Sequence, residues 1–139
     1  MSTFYTLEPE VAGELGPKTD MDTTKHPPVV HSLQYVFSDW LGDDLVTSFP
    51  VFMVSEPLAK EITGAGLHGF ELTTADVATS PEFKELQDPK NLPVFLWLKI
   101  TGQAGQDDFG LINNQLMVSA KALDVLKRGR LDQCQITPV

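Results

Sequence analysis

The sequence is short of cysteine, histidine and positive charge. A single cysteine, Cys134, excludes an internal disulfide and the cysteine-rich zinc patterns, and it makes a reducing cytoplasm the expected compartment. No two of the three histidines, His26, His31 and His68, have the helical or strand spacing of a metal-ligand pair, so no metal or cofactor is expected. Lysine and arginine total 10 against 19 aspartates and glutamates, for a formal net charge of −9. A surface of that sign repels nucleic acid and anionic lipid, and it suits a basic protein as partner. Long apolar runs are missing too: stretches such as Pro93 to Leu98 are far too short to span a bilayer. The N-terminus carries Glu8, Glu10 and Glu14 instead of a basic region before an apolar stretch, so no secretory leader is expected.

Signatures of catalysis are equally sparse. Nothing reads G-x-S-x-G. Gly102, Gly105 and Gly110 precede a predicted strand, and no Lys-Ser/Thr follows, so they do not form a phosphate loop. The chain is not expected to be an enzyme.

The chain has 139 residues, of which 42% are hydrophobic, enough for one domain with a proper core. Four stretches are expected: an N-terminal strand and loop (1–28), a first unit (29–77), a connector with a short helix (78–92) and a second unit (93–139). In the first unit, Val29 to Phe37 and Phe49 to Val54 read as strands. Ser55 caps a helix with Pro57 in its first turn, Gly64 and Gly66 stop it, and Gly69 to Val77 alternates as a strand. Ser80-Pro81-Glu82 opens the connector helix. In the second unit, the apolar stretch Pro93 to Ile100 is a strand buried on both faces, and Thr101 to Gly110 is a loop. Gln115 to Val118 is a strand, Ser119 caps the last helix, and Leu131 to Thr137 is the final strand.

The most informative feature is internal. Shifted by 64 positions, the sequence partly overlays itself without gaps. Asp43-Asp44 falls on Asp107-Asp108, Met53-Val54-Ser55 on Met117-Val118-Ser119, Leu67 on Leu131 and Thr73 on Thr137. Those seven identities compare with about two expected from average composition. The overlay predicts an α+β fold built from a duplicated strand–strand–helix–strand unit, with one mixed sheet and the helices packed on it.

The two Asp-Asp pairs are the sharpest candidates for function. They match no calcium loop, and adjacent carboxylates on extended backbone point apart, which argues against paired acid–base chemistry. One reading is structural: an aspartate of each pair accepts backbone N–H bonds and holds a turn. The other is an acidic partner-binding surface around an aromatic anchor, formed by Asp39, Trp40, Asp43 and Asp44 together with Asp107, Asp108 and Phe109. Trp40 is either that anchor or a core plug. A cleft between the two units, suited to a small molecule, is the alternative site. Cys134 falls where the first unit has Phe70, which fits an apolar role.

Several phrases together carry a resemblance. They are Tyr5-Thr6-Leu7-Glu8-Pro9-Glu10-Val11-Ala12-Gly13, Trp40-Leu41-Gly42-Asp43-Asp44-Leu45, Phe49-Pro50, Asp107-Asp108-Phe109-Gly110, and Leu116-Met117-Val118-Ser119 before a leucine-bearing helix. Over most of its length the chain resembles bacterial immunity-type proteins of polymorphic toxin systems, of the myxobacterial immunity protein kind. The resemblance implies a cytoplasmic protein that binds and neutralises a cognate toxin without catalysis. It brings no active-site residues. A homo-oligomer is compatible with the same reading.

Overall fold

A computed structural model describes residues 3–139. In chain order the strands and helices are β1 (Phe4–Glu8), β2 (Glu10–Val11), β3 (Gly13–Leu15), β4 (Asp20–Asp22), β5 (Val29–Ser32), β6 (Gln34–Phe37), β7 (Leu45–Ser48), β8 (Val51–Ser55), α1 (Glu56–Gly64), β9 (Phe70–Thr73), β10 (Asp76–Thr79), α2 (Pro81–Leu86), β11 (Phe95–Ile100), β12 (Phe109–Ile112), β13 (Gln115–Ser119), α3 (Ala120–Leu126) and β14 (Gln135–Pro138). The fold is mixed α and β, dominated by strands. Among the described residues no helix is long and apolar enough to cross a membrane.

The expected single mixed sheet is instead four sheets, ordered β12-β13-β1-β14, β2-β7-β8-β11-β9, β10-β6-β3 and β4-β5. Hairpins explain part of the difference. Phe49 to Val54 is not one strand: the chain turns at Phe49-Pro50 and joins β7 to β8. Gly110 belongs to β12, not to the preceding loop, and a turn at Asn113-Asn114 joins β12 to β13. Both asparagines have positive φ, as the tight turns that match strand twist require. The stretch expected as one strand from Gly69 to Val77 is split between β9 and β10, which sit in different sheets.

Each hairpin is followed by a helix and a further strand, and the pairings of the two sets agree residue by residue. Leu45 opposite Val54 and Ser48 opposite Val51 recur 64 positions on as Phe109 opposite Val118 and Ile112 opposite Gln115. In both sets the crossover through the helix leaves a gap one strand wide, filled by an antiparallel strand. β11 lies between β8 and β9, and β1 lies between β13 and β14. Phe4 sits opposite Ser119 as Phe95 sits opposite Ser55, and Leu7 bridges Leu116 and Ile136 as Leu98 bridges Phe52 and Leu72. The strand that corresponds to β11 is therefore β1, 91 positions earlier. It is not Val29 to Phe37, which breaks at Leu33 into β5, paired with β4, and β6, in the three-stranded sheet.

After its gap-filling strand the chain runs, in both cases, to the edge of the other sheet. β2 pairs parallel with β7 through Val11 and Thr47, and Gln103 bridges Leu111 of β12 in parallel. The stretch expected as an N-terminal loop thus contributes β2, β3 and β4. Gly13 is needed in β3 because a side chain there would meet the Val36 carbonyl oxygen at 2.0 Å. Nearby, the buried Tyr35 hydroxyl accepts the Ala12 N–H at 3.2 Å and donates to the Thr47 carbonyl at 3.0 Å, tying the segment down.

Two cores result. The first joins α1 and α3 to the inner faces of both large sheets, with Leu7, Phe52, Val54, Leu98, Phe109 and Leu116 among its residues. The second lies on the other face of β7, β8 and β11, where Val46, Met53, Phe95 and Trp97 pack on Tyr35, Phe37 and Phe83. Alternate residues of β8 and β11 feed one core and then the other, as expected for a strand buried on both faces.

Leu7 and Leu98 are each 1% exposed and occupy matching places. Leu7→Ala is expected to destabilise the protein as much as Leu98→Ala, by about 2–5 kcal/mol each. Urea denaturation checks this. A fraying terminal strand would instead give a far smaller effect at Leu7.

Candidate functional site

The acidic loops are cross-braces. Asp44 accepts the Ser55 hydroxyl at 2.6 Å and the Arg130 N–H at 2.6 Å, while its own N–H donates to the Arg130 carbonyl at 2.8 Å. Asp108 accepts the Ser119 hydroxyl at 2.6 Å and the His68 N–H at 2.9 Å, and the next N–H, of Phe109, donates to the His68 carbonyl at 3.2 Å. Each aspartate thus joins the serine that precedes its own helix to the connector that follows the other helix. Hydrogen bonds to a carboxylate are the stronger kind, which suits this joint.

The remaining expected surface residues are tied in as well. Asp43 is 0% exposed, and one of its oxygens accepts the Gln133 N–H at 2.8 Å. Asp107 accepts the Gln103 N–H at 2.7 Å. Asp39 accepts the Trp40 N–H at 2.8 Å and the Gln87 side-chain amide at 2.5 Å. The Trp40 indole N–H donates to the Asp43 carbonyl at 2.7 Å, its ring lies edge-on to Phe95, and it packs on the second core as a plug. Phe109 is 0% exposed, in the first core. With Asp43 and Phe109 wholly buried, the seven residues do not present one acidic surface around an aromatic centre. Asp44 and Asp108 do accept backbone N–H bonds, as the structural reading expected, but from distant connectors and not from their own turns.

The serines differ in one respect. The Ser119 hydroxyl accepts the Ala122 N–H at 3.0 Å and caps α3, whereas the Ser55 side chain makes no capping bond and serves Asp44 alone. Ser119→Ala removes two bonds and Ser55→Ala one. The expected costs are about 1–3 kcal/mol and about half that, and denaturant melts of the two variants check the order.

Glu10 and Asp43 form a strained acidic spot. Glu10 accepts the Leu41 N–H at 2.8 Å, but its other oxygen and one oxygen of Asp43 are buried without a partner. Burial pushes both carboxyls above their ordinary values, and repulsion adds to it, from Asp43 and Asp39 on Glu10 and from Asp132 on Asp43. The native state then binds more protons than the unfolded chain between the ordinary values, 4.5 and 3.8, and the raised ones. Stability from these groups falls as pH rises through that window, and the full cost remains above it. Asp43→Asn keeps an acceptor for Gln133 and removes the charge. Its urea midpoint at neutral pH is expected to equal or exceed that of the parent, with a flatter pH profile. A lower midpoint with an unchanged profile contradicts this.

Burial also raises the Cys134 thiol to about 11, in keeping with an apolar role. Among the described residues no group of three or more His, Cys, Asp or Glu side chains is placed to hold a metal ion.

Among the larger open concave features of the described residues, a groove of ≈ 510 Å³ lies between the two hairpins and is the one walled mainly by apolar side chains. Its apolar wall includes Pro9, Val11, Phe49, Pro50 and Phe52, and its rim carries Glu8 and the amides of Asn114, Gln115, Gln133 and Gln135. Val11 is 70% and Phe49 52% exposed. The Gln115 amide donates to Glu8 at 3.0 Å, which fixes part of the rim. Reading Phe49 as the first residue of a strand hid this wall. The signal was Pro50, which marks a turn after Phe49 and puts the ring at a hairpin tip. No family model, curated protein or solved structure matches the chain.

Proposed function

We propose that the protein is a non-catalytic interaction module of the immunity type, which binds and neutralises a cognate toxin in the cytoplasm, and that its two hairpin–helix–strand units derive from one duplicated unit. The duplication is supported by the matching registers at 64 and 91 positions and by the paired Asp44–Ser55 and Asp108–Ser119 bonds. The observation that carries the binding role is the groove. It exposes a phenylalanine and a valine beside a polar rim with one carboxylate, Glu8, on a chain of net charge −9. Exposed apolar side chains within a polar border are the usual make-up of a protein-binding patch, and the charge favours a basic partner. The resemblance to immunity proteins points the same way.

A small-molecule ligand is the second reading, because ≈ 510 Å³ lies within the range of ligand pockets. One experiment separates the two. The tagged full chain is purified from its native cell, and any partner is identified, re-purified and mixed back with it. A stoichiometric complex that suppresses the partner's toxic activity is expected. A chain that carries a small molecule by native mass spectrometry, and no protein, overturns the immunity reading.

A further inference from the structure

The register that relates the two sheets also relates two grooves. In the open groove, Leu7, Glu8, Asn114, Gln115 and Leu116 line the wall. At the matching positions of a second groove stand Leu98, Lys99, Pro50, Val51 and Phe52. The second groove holds only ≈ 160 Å³, because Pro28 and Val30 lie against it. Pro27 and Pro28 also close a space of ≈ 90 Å³ against Phe49, Pro50, Leu111 and Asn114. The chain's own proline-bearing segment therefore covers one of two matching grooves. None of that segment lines the other, where Val11 and Phe49 stay exposed.

We infer that the open groove docks an extended, proline-bearing, positively charged segment of the protein partner, much as Pro27–Val30 covers its counterpart. Proline segments are pre-extended and lose little entropy on docking, and they suit grooves walled by aromatic and proline rings, here Phe49, Phe52, Pro9 and Pro50. The side-chain amides of the rim can donate to and accept from a peptide backbone. Charge sets the sign of the occupant. Glu8 stands where the covered groove has Lys99, so the open groove alone offers a carboxylate to a cation. The inference deepens the proposed interaction role and rests on it for its biological partner, while the groove's affinity for a peptide is a separate property.

The test uses the full chain and a fluorescein-labelled synthetic peptide spanning residues 24–31, which contains Lys25 and Pro27-Pro28. Anisotropy is expected to report saturable, one-to-one binding. Val11→Asp, at an exposed position, should weaken binding about tenfold, as removal of a central apolar contact does. Glu8→Lys should also weaken it, and a peptide carrying Lys25→Glu should recover affinity for that variant. Lys99→Glu, in the covered groove, should leave binding unchanged. Circular dichroism confirms that each variant is folded. Absence of saturation at millimolar peptide overturns the inference. So does a loss confined to Lys99→Glu, which means that the peptide displaces the chain's own segment instead. A partner complex that forms while the peptide fails overturns the groove's role alone. A peptide that binds while no partner exists overturns the immunity reading alone.

Discussion

A strand–helix–strand crossover that leaves a gap one strand wide exposes the N–H and C=O groups of two strand edges along its whole length. Neither hairpin–helix–strand set can be stable until something fills that gap. In this protein the strand ahead of each set fills the gap of the other. β1 closes the sheet of β12, β13 and β14, and β11 closes the sheet of β7, β8 and β9. The two sets are therefore interdependent in their backbone hydrogen bonding as well as through the core they share. Short helices such as α1 and α3 need that joint packing, since neither is long enough to hold by itself.

The aspartates extend the same dependence to the connectors. Asp44 and Asp108 each take one bond from their own set and one from the connector after the other set's helix. Their chemistry is spent on holding the halves in register. The surface between the hairpin tips, where the proposed binding groove lies, takes no part in these braces, and the N-terminal chain passes there with Pro9 and Val11 as it leaves β1 for β2. The groove is a product of the exchange: the hairpins face each other because their sheets share a core, and the crossing segment supplies one wall.

Much of this was legible in the sequence, and the remainder was not for identifiable reasons. The 64-residue overlay located both helices, whose starts rest on short-range chemistry, and the paired Asp and Ser positions, which are identical in the two sets. Ser119 before a leucine-bearing helix is a local signal, and so is the apolar run that became β11. The exchange was not visible, because strand pairing depends on contacts far apart in sequence and β1 shares little with β11 beyond Phe4 and Phe95, and Leu7 and Leu98. Val29 to Phe37 took its place in the overlay because its composition suits a strand equally well. The aspartates looked like a surface because charge is usually exposed, and only the folded connectors supply the N–H groups that bury Asp43.

Interdependence of the halves is most directly tested by native-state amide hydrogen exchange across β1 and β11. Opening either strand unzips the sheet of the opposite set, so both should exchange only by global unfolding, with the same free energy and the same denaturant dependence. Exchange of the β1 amides through a separate, low-energy opening, with β11 and the β12–β13 hairpin still protected, would contradict the exchange of strands as the constraint that holds the fold.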